Sequence, residues 1–191
     1  MLHHLRTRGH EPQEEEPNWE NAIDLDGIGS IDLDLAELDE PKLQQLFDHW
    51  DSARQGRPWL NRGDFRPEAC ATVLAHLAVI ERLAEAIPFL KIRLTGERIV
   101  NPGFGFVKGS FVEKLTPEWY RDHLMTGYMS AFVAGEPLYQ LVRVVFRCQV
   151  ILYRRLILPL TAKGDRVDML LVASIRTRRL ADFITFGREV R

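Results

Sequence analysis

Few side chains able to titrate, attack or ligate stand in useful company in this chain. The six histidines are His3, His4, His10, His49, His76 and His123, and the two cysteines, Cys70 and Cys148, each stand alone in their segments. Without paired cysteine spacing neither a thiolate metal centre nor a disulfide framework is expected; a reducing, cytoplasmic compartment is the natural setting, and both cysteines read as small core residues. His3-His4 reads as a chance pair, so no metal site is assigned. The chain holds no G-x-S-x-G elbow, P-loop, H-E-x-x-H, phosphorelay or nucleotide-cyclase signature, so it is not expected to be an enzyme and no catalytic residue is assigned. Gly103, Gly105 and Gly109 lack the preceding strand and the spacing of a dinucleotide fingerprint and are expected to serve turns.

Arginines carry the remaining chemistry. If the alternation of its strand holds, Arg154 falls on an apolar, inward face, where an unpaired charge is very costly. There it would reach into a cavity and bind a carboxylate or phosphate; a bulge or register shift would instead turn it outward. Arg93 is expected to form a helix-to-sheet ion pair, with Asp51 as partner. A polyanion-binding surface built from Arg143, Arg147, Arg154, Arg155, Arg176, Arg178 and Arg179 is a further reading. It ranks last because aromatics for base stacking are sparse there, and nucleic acid is not an expected partner.

The elements that must position these residues fit one domain with a leader. The chain has 191 residues, 46% hydrophobic and 27% charged, as in globular proteins. No apolar run reaches the roughly 18 residues of a membrane span, and the first nine residues lack the apolar core of a secretory signal. Residues 1–40 carry twelve acids against Arg6 and Arg8, a net −10, whereas the remainder carries +8. Residues 1–38 therefore read as an acidic, mostly disordered leader, either a solvated tail or a segment that folds back on the basic body. The folded domain spans 39–191. It opens with an amphipathic helix over 39–55, where Pro41 suits a first turn and Leu43, Leu46, Phe47 and Trp50 recur at helical spacing. A core over 76–176 follows, with strands at 76–82, 88–95, 138–148, 149–160 and 166–176 and a helix over 117–134. Residues 177–191 form a C-terminal helix or tail. The short links between the last three strands demand antiparallel hairpins, so the fold class is α+β, a five-stranded antiparallel sheet with helices on one face.

The run Trp50-Asp51-Ser52-Ala53-Arg54-Gln55-Gly56-Arg57-Pro58, with Arg62 and Pro67 after it, is followed by Ile92-Arg93-Leu94-Thr95-Gly96, Gly109, Gly135 with Pro137, and Leu158-Pro159-Leu160 with Gly164. In this order the residues resemble the alphaproteobacterial branch of the PAS domain superfamily, small sensor domains of bacterial signalling, over residues 43–175. The resemblance implies the strand order 2-1-5-4-3 and a non-catalytic sensor role, in which a small-molecule ligand or protein partner acts through the N-terminal helix and an oligomer interface. A ligand cavity is expected between the sheet and the 117–134 helix, lined by Phe106, Tyr128 and Phe146, with Arg154 reaching in. The expected partners are a second protomer or a signalling protein, and the ligand and cofactor are left unassigned. His123 lies on the helix that supplies the axial ligand in haem-binding PAS domains, although a packed, hydrogen-bonded histidine is the favoured reading. The competing class is a small α+β enzyme of cone-shaped fold using Asp168 or His123 as acid or base.

Overall fold

The structure, a computed structural model, describes residues 26–83, 89–179, 181–182 and 184–185. In chain order its main elements are β1 (Gly27–Leu33), α1 (Pro41–Arg54), β2 (Leu60–Asn61), β3 (Leu77–Arg82), β4 (Leu90–Thr95), α2 (Glu118–Ala134), β5 (Leu138–Phe146), β6 (Gln149–Thr161) and β7 (Met169–Arg176). None of the helices among the described residues is long and apolar enough to cross a membrane.

Strand β1 falls inside the expected acidic leader. It pairs antiparallel with β5 from Gly27 opposite Val145 to Leu33 opposite Tyr139. Ile28 packs on one side of the sheet and Ile31 and Leu33 on the other, so a short strand is anchored from both faces. Asp32 accepts a 2.7 Å hydrogen bond from Gln140 Nε2. Residues 1–25 of the leader lie outside the described residues.

α1 starts with Pro41 in its first turn and ends at Gln55, which takes the left-handed conformation (φ 52) just before Gly56. Leu43, Leu46 and Trp50 are buried. Trp50 Nε1 donates to the Pro159 carbonyl at 2.9 Å, and the Arg54 guanidinium lies 5.1 Å over the Trp50 ring, fastening the helix to the sheet. α2 is led in by Pro117 and closed by Gly135 in the left-handed region (φ 66), a common helix terminator.

The sheet has seven strands rather than the expected five, in the order β1-β5-β6-β7-β3-β4 with β2 pairing in parallel with the end of β6. The order differs by the added β1 and β2, while the five expected strands keep their expected neighbours, β4-β3-β7-β6-β5. β5, β6 and β7 form the anticipated antiparallel hairpins. The extra strands come from segments whose acids, turns or brevity hide a strand pattern. Placing the helices on one face is also corrected. α1 packs with Leu156, Leu158 and Leu160 of β6 and Leu171 and Ala173 of β7. α2 packs with Ile157, Leu170 and Val172, the residues of opposite alternation, and thus on the other side of the sheet. The central strands are apolar on both faces, so each face needs its own cover. The leucine surface read as lying under α2 is in fact covered by α1.

The β5–β6 link is a two-residue turn in which Arg147 (φ 50) and Cys148 (φ 60) are both left-handed. Cys148 is therefore exposed rather than a core residue, whereas Cys70 is buried as expected, its thiol pushed up to about 11 by burial. Arg93 pairs with Glu81 at 3.2 Å, while Asp51 is taken by Arg54. In the tail, residues 181, 182, 184 and 185 are helical.

Candidate functional site

The two arginines at the middle of β6 divide the molecule. Alternation sends Arg154 to the α1 side and Arg155 to the α2 side, and the antiparallel register sets them opposite Leu141 and Gln140 of β5. Each is buried, at 8% and 2% exposed, so each needs a built environment.

Arg155 lies at the foot of a cavity of about 10 Å³ between α2 and the sheet. α2 contributes Tyr120, Leu124 and Tyr128, spaced by four residues and so aligned on one helix face. β6 and β7 contribute Tyr153, Val172 and Ser174, and the segment before α2 contributes Ile99, Val100 and Phe106. Ser174 Oγ accepts from the Val100 amide at 2.8 Å, tying that segment over the opening. Gly103 permits its close approach, because a Cβ there would meet Tyr120 Cδ1 at 2.4 Å and the Thr116 carbonyl at 2.7 Å. Gly127 leaves room for the guanidinium beneath the helix, a Cβ there standing 3.3 Å from Arg155 Nη2.

Arg155 Nε donates to Gln140 Oε1 at 2.9 Å, and Nη2 donates to the same oxygen. The Gln140 amide passes this on to Asp32 of β1, so the nearest carboxylate in this chain of bonds is one residue removed. Nη2 also lies 3.3 Å from His123 Nε2. A guanidinium can only donate, so His123 must accept there and carry its proton on Nδ1. Burial, reinforced by the Arg155 charge, lowers the His123 pKa to about 4, and the ring is neutral near pH 7. Arg155 Nη1 is buried without a partner among the described residues. Burial likewise raises the Tyr120, Tyr128 and Tyr153 phenols above their ordinary value, so all three keep their protons.

On the opposite face Arg154 has its partners. Its Nη2 and Nε donate to the two oxygens of Asp182, at 2.6 and 3.1 Å, a bidentate pair. Nη1 donates to the Tyr139 hydroxyl at 2.7 Å and to Asp39, which Arg179 also engages. The cluster joins the residues leading into α1 to the segment that follows β7. Burial pushes the Asp182 carboxyl up, but hydrogen bonds from Arg154 and Thr177 outweigh it and hold the pKa below the ordinary value.

Of the four expected ligand-site residues, Phe106 and Tyr128 line the cavity together. Phe146 instead meets Phe104 and Trp119 edge-on, with centroids 6.2 and 5.8 Å away, and Arg154 belongs to the other face. No bulge or slip turns Arg154 outward; its inward charge is matched by Asp182 and Asp39. The missed residues are Arg155, Tyr153 and Gln140. A fixed hairpin register exposes the Arg155–Gln140 pair, and a strand buried on both faces leaves no outward side for Arg155. The enzyme alternative finds no constellation here: Asp168 holds the β6–β7 turn by accepting from the Ala162 amide at 2.9 Å, and His123 is occupied by Arg155. The polyanion reading loses Arg154 and Arg155 to the interior. Among the described residues, no three histidine, cysteine or carboxylate side chains converge on a point that could hold a metal.

No curated protein and no solved structure gives a significant match. A family model described as PAS domain matches residues 38–171, from the residue before Asp39 into the start of β7, and so takes in α1, α2 and the cavity lining except Val172 and Ser174. The chain therefore belongs to the PAS domain family, whose members suggest a sensor or signalling role.

Proposed function

We propose that this chain is a non-catalytic, cytoplasmic sensor module in which occupancy of the cavity under α2 is passed through β6 to the charged cluster that holds α1 and the C-terminal segment. The observation that carries this reading is the Arg154-Arg155 pair. Adjacent residues of one central strand reach, on one face, a cavity with an unmatched donor and, on the other, the clasp at the start of α1. A shift of the strand at Arg155 moves Arg154 with it, because the backbone between them is fixed in two hairpin ladders. The clasp thus supplies the two-arrangement element that a ligand can bias. The output is the surface of α1, offered to a second protomer or to a signalling protein.

Hydrogen–deuterium exchange of the full chain tests this with Gly127→Ala, which pushes on Arg155 from above. Changed protection in residues 41–54 and 177–182, beyond that in α2, is expected. A change confined to α2 would sink the reading.

A further inference from the structure

We infer that the cavity beneath α2 is a receptor for a compact monoanion, of formate or chloride size, held by Arg155 Nη1 and the hydroxyls of Tyr120, Tyr128 and Tyr153. This rests on the reading of that cavity as the sensory site and names the class of ligand it takes.

A guanidinium cannot lose its charge, and one that is only 2% exposed needs its donors matched. The protein matches Nε and Nη2 through Gln140 and His123 and leaves Nη1 unmatched against the cavity. The other polar side chains lining the space are three protonated phenols and Ser174, whose oxygen already accepts from Val100. Among the described residues, no carboxylate lines the cavity. Tyr120, Tyr128 and Tyr153 line the same small cavity as Arg155, whose Nη1 is the buried donor left without a partner. A fixed positive charge facing hydroxyls, which can turn their protons toward an occupant, with no carboxylate beside it favours an anion. The volume of about 10 Å³ holds a single water-sized particle, so chloride comes nearest to fitting as the cavity stands and formate enters only as the lining side chains give way. A dianion or a bulky ring would have to displace Phe106 or Tyr120.

The test uses the full chain in chloride-free buffer, with ionic strength held constant by gluconate, which is too large to enter. Sodium formate and sodium chloride are titrated separately while the Arg155 Nε–H resonance and the melting temperature are followed. A saturable shift of that resonance with a rise in melting temperature is expected. A response to formate alone assigns a carboxylate, and a response to both assigns monoanions as a class. Tyr128→Phe, which removes one donor and keeps the ring, should weaken the apparent Kd about tenfold or more, as loss of a hydrogen bond to a charged partner does. Tyr153→Phe provides the same comparison if the first variant folds poorly. An Arg155 resonance indifferent to both salts, or equal affinity in wild type and both variants, would overturn the inference. Binding without altered exchange at α1 would leave it standing and sink the signalling reading alone; altered exchange in Gly127→Ala without anion binding would do the reverse.

Discussion

Asp182→Ala should be among the most damaging substitutions outside the apolar core. The Arg154 and Asp182 side chains are 10% and 6% exposed, and their bidentate contact is removed from solvent. Deleting one partner of such a buried pair typically costs about 3–5 kcal/mol, because the other charge is left without compensation. Here Arg154 keeps the Tyr139 hydroxyl and Asp39, whose carboxylate is 57% exposed and so well screened. The residual partners offset part of the loss, which sets the expected cost at about 2–3 kcal/mol. Asp39→Ala removes only the screened partner and should cost about 0.5–1 kcal/mol, shrinking further in high salt. Urea unfolding at pH 7, followed by tryptophan fluorescence, gives both values from midpoint and slope. The pH dependence has a fixed sign. With the folded Asp182 carboxyl depressed, its stabilisation is complete above the unfolded value near pH 4 and disappears as pH falls through the lower folded value. A cost for Asp182→Ala within about 0.5 kcal/mol of zero, or below that of Asp39→Ala, would refute the clasp.

Two further outcomes can be measured on the same instrument. Cys148→Gly should raise stability by about 0.5–1 kcal/mol, because a left-handed non-glycine residue is strained, whereas Cys148→Ala should give no such gain. His123 has its folded pKa lowered to about 4, so its contribution is complete above the unfolded value near 6.5 and lost as pH falls between the two. Relative to His123→Gln, which keeps an acceptor for Arg155, wild type should lose about 1 kcal/mol per pH unit from 6.5 to 5, somewhat under the full value because the ring is half-buried. A flat difference curve would show that the ring is not held neutral by its surroundings.

Local patterns made much of this architecture legible. Leu43, Leu46 and Trp50 at helical spacing mark α1, and the short links around the late apolar runs mark their hairpins, because these signals depend on near neighbours. The placement of layers was not legible in the same way. In β6 the run from Ile151 to Leu160 is apolar at nearly every position, a pattern that means two covered faces. Reading it as one face with alternation put the leucines under the wrong helix and Arg155 outside. β1 escaped notice because its apolar residues are few and its surroundings acidic, and only the waiting edge of β5 makes it a strand. Tyr128 and Phe106 could be anticipated from the helix face and the glycine-rich segment. Arg155 was harder to place, since its partner Gln140 follows only once the hairpin turn at Arg147-Cys148 fixes the register and the strand is recognised as buried on both faces.

The most direct measurement is a double-mutant cycle between Gly127→Ala, which presses on Arg155 from the α2 side, and Asp182→Ala, which opens the cluster on the α1 side. Gly127→Ala alone combines a helix-propensity gain of about 1 kcal/mol with the displacement of Arg155, and that gain cancels in the cycle. Independent sites on opposite faces should add to within about 0.3–0.5 kcal/mol. Transmission through β6 predicts a coupling of about 1 kcal/mol; strict additivity would contradict it.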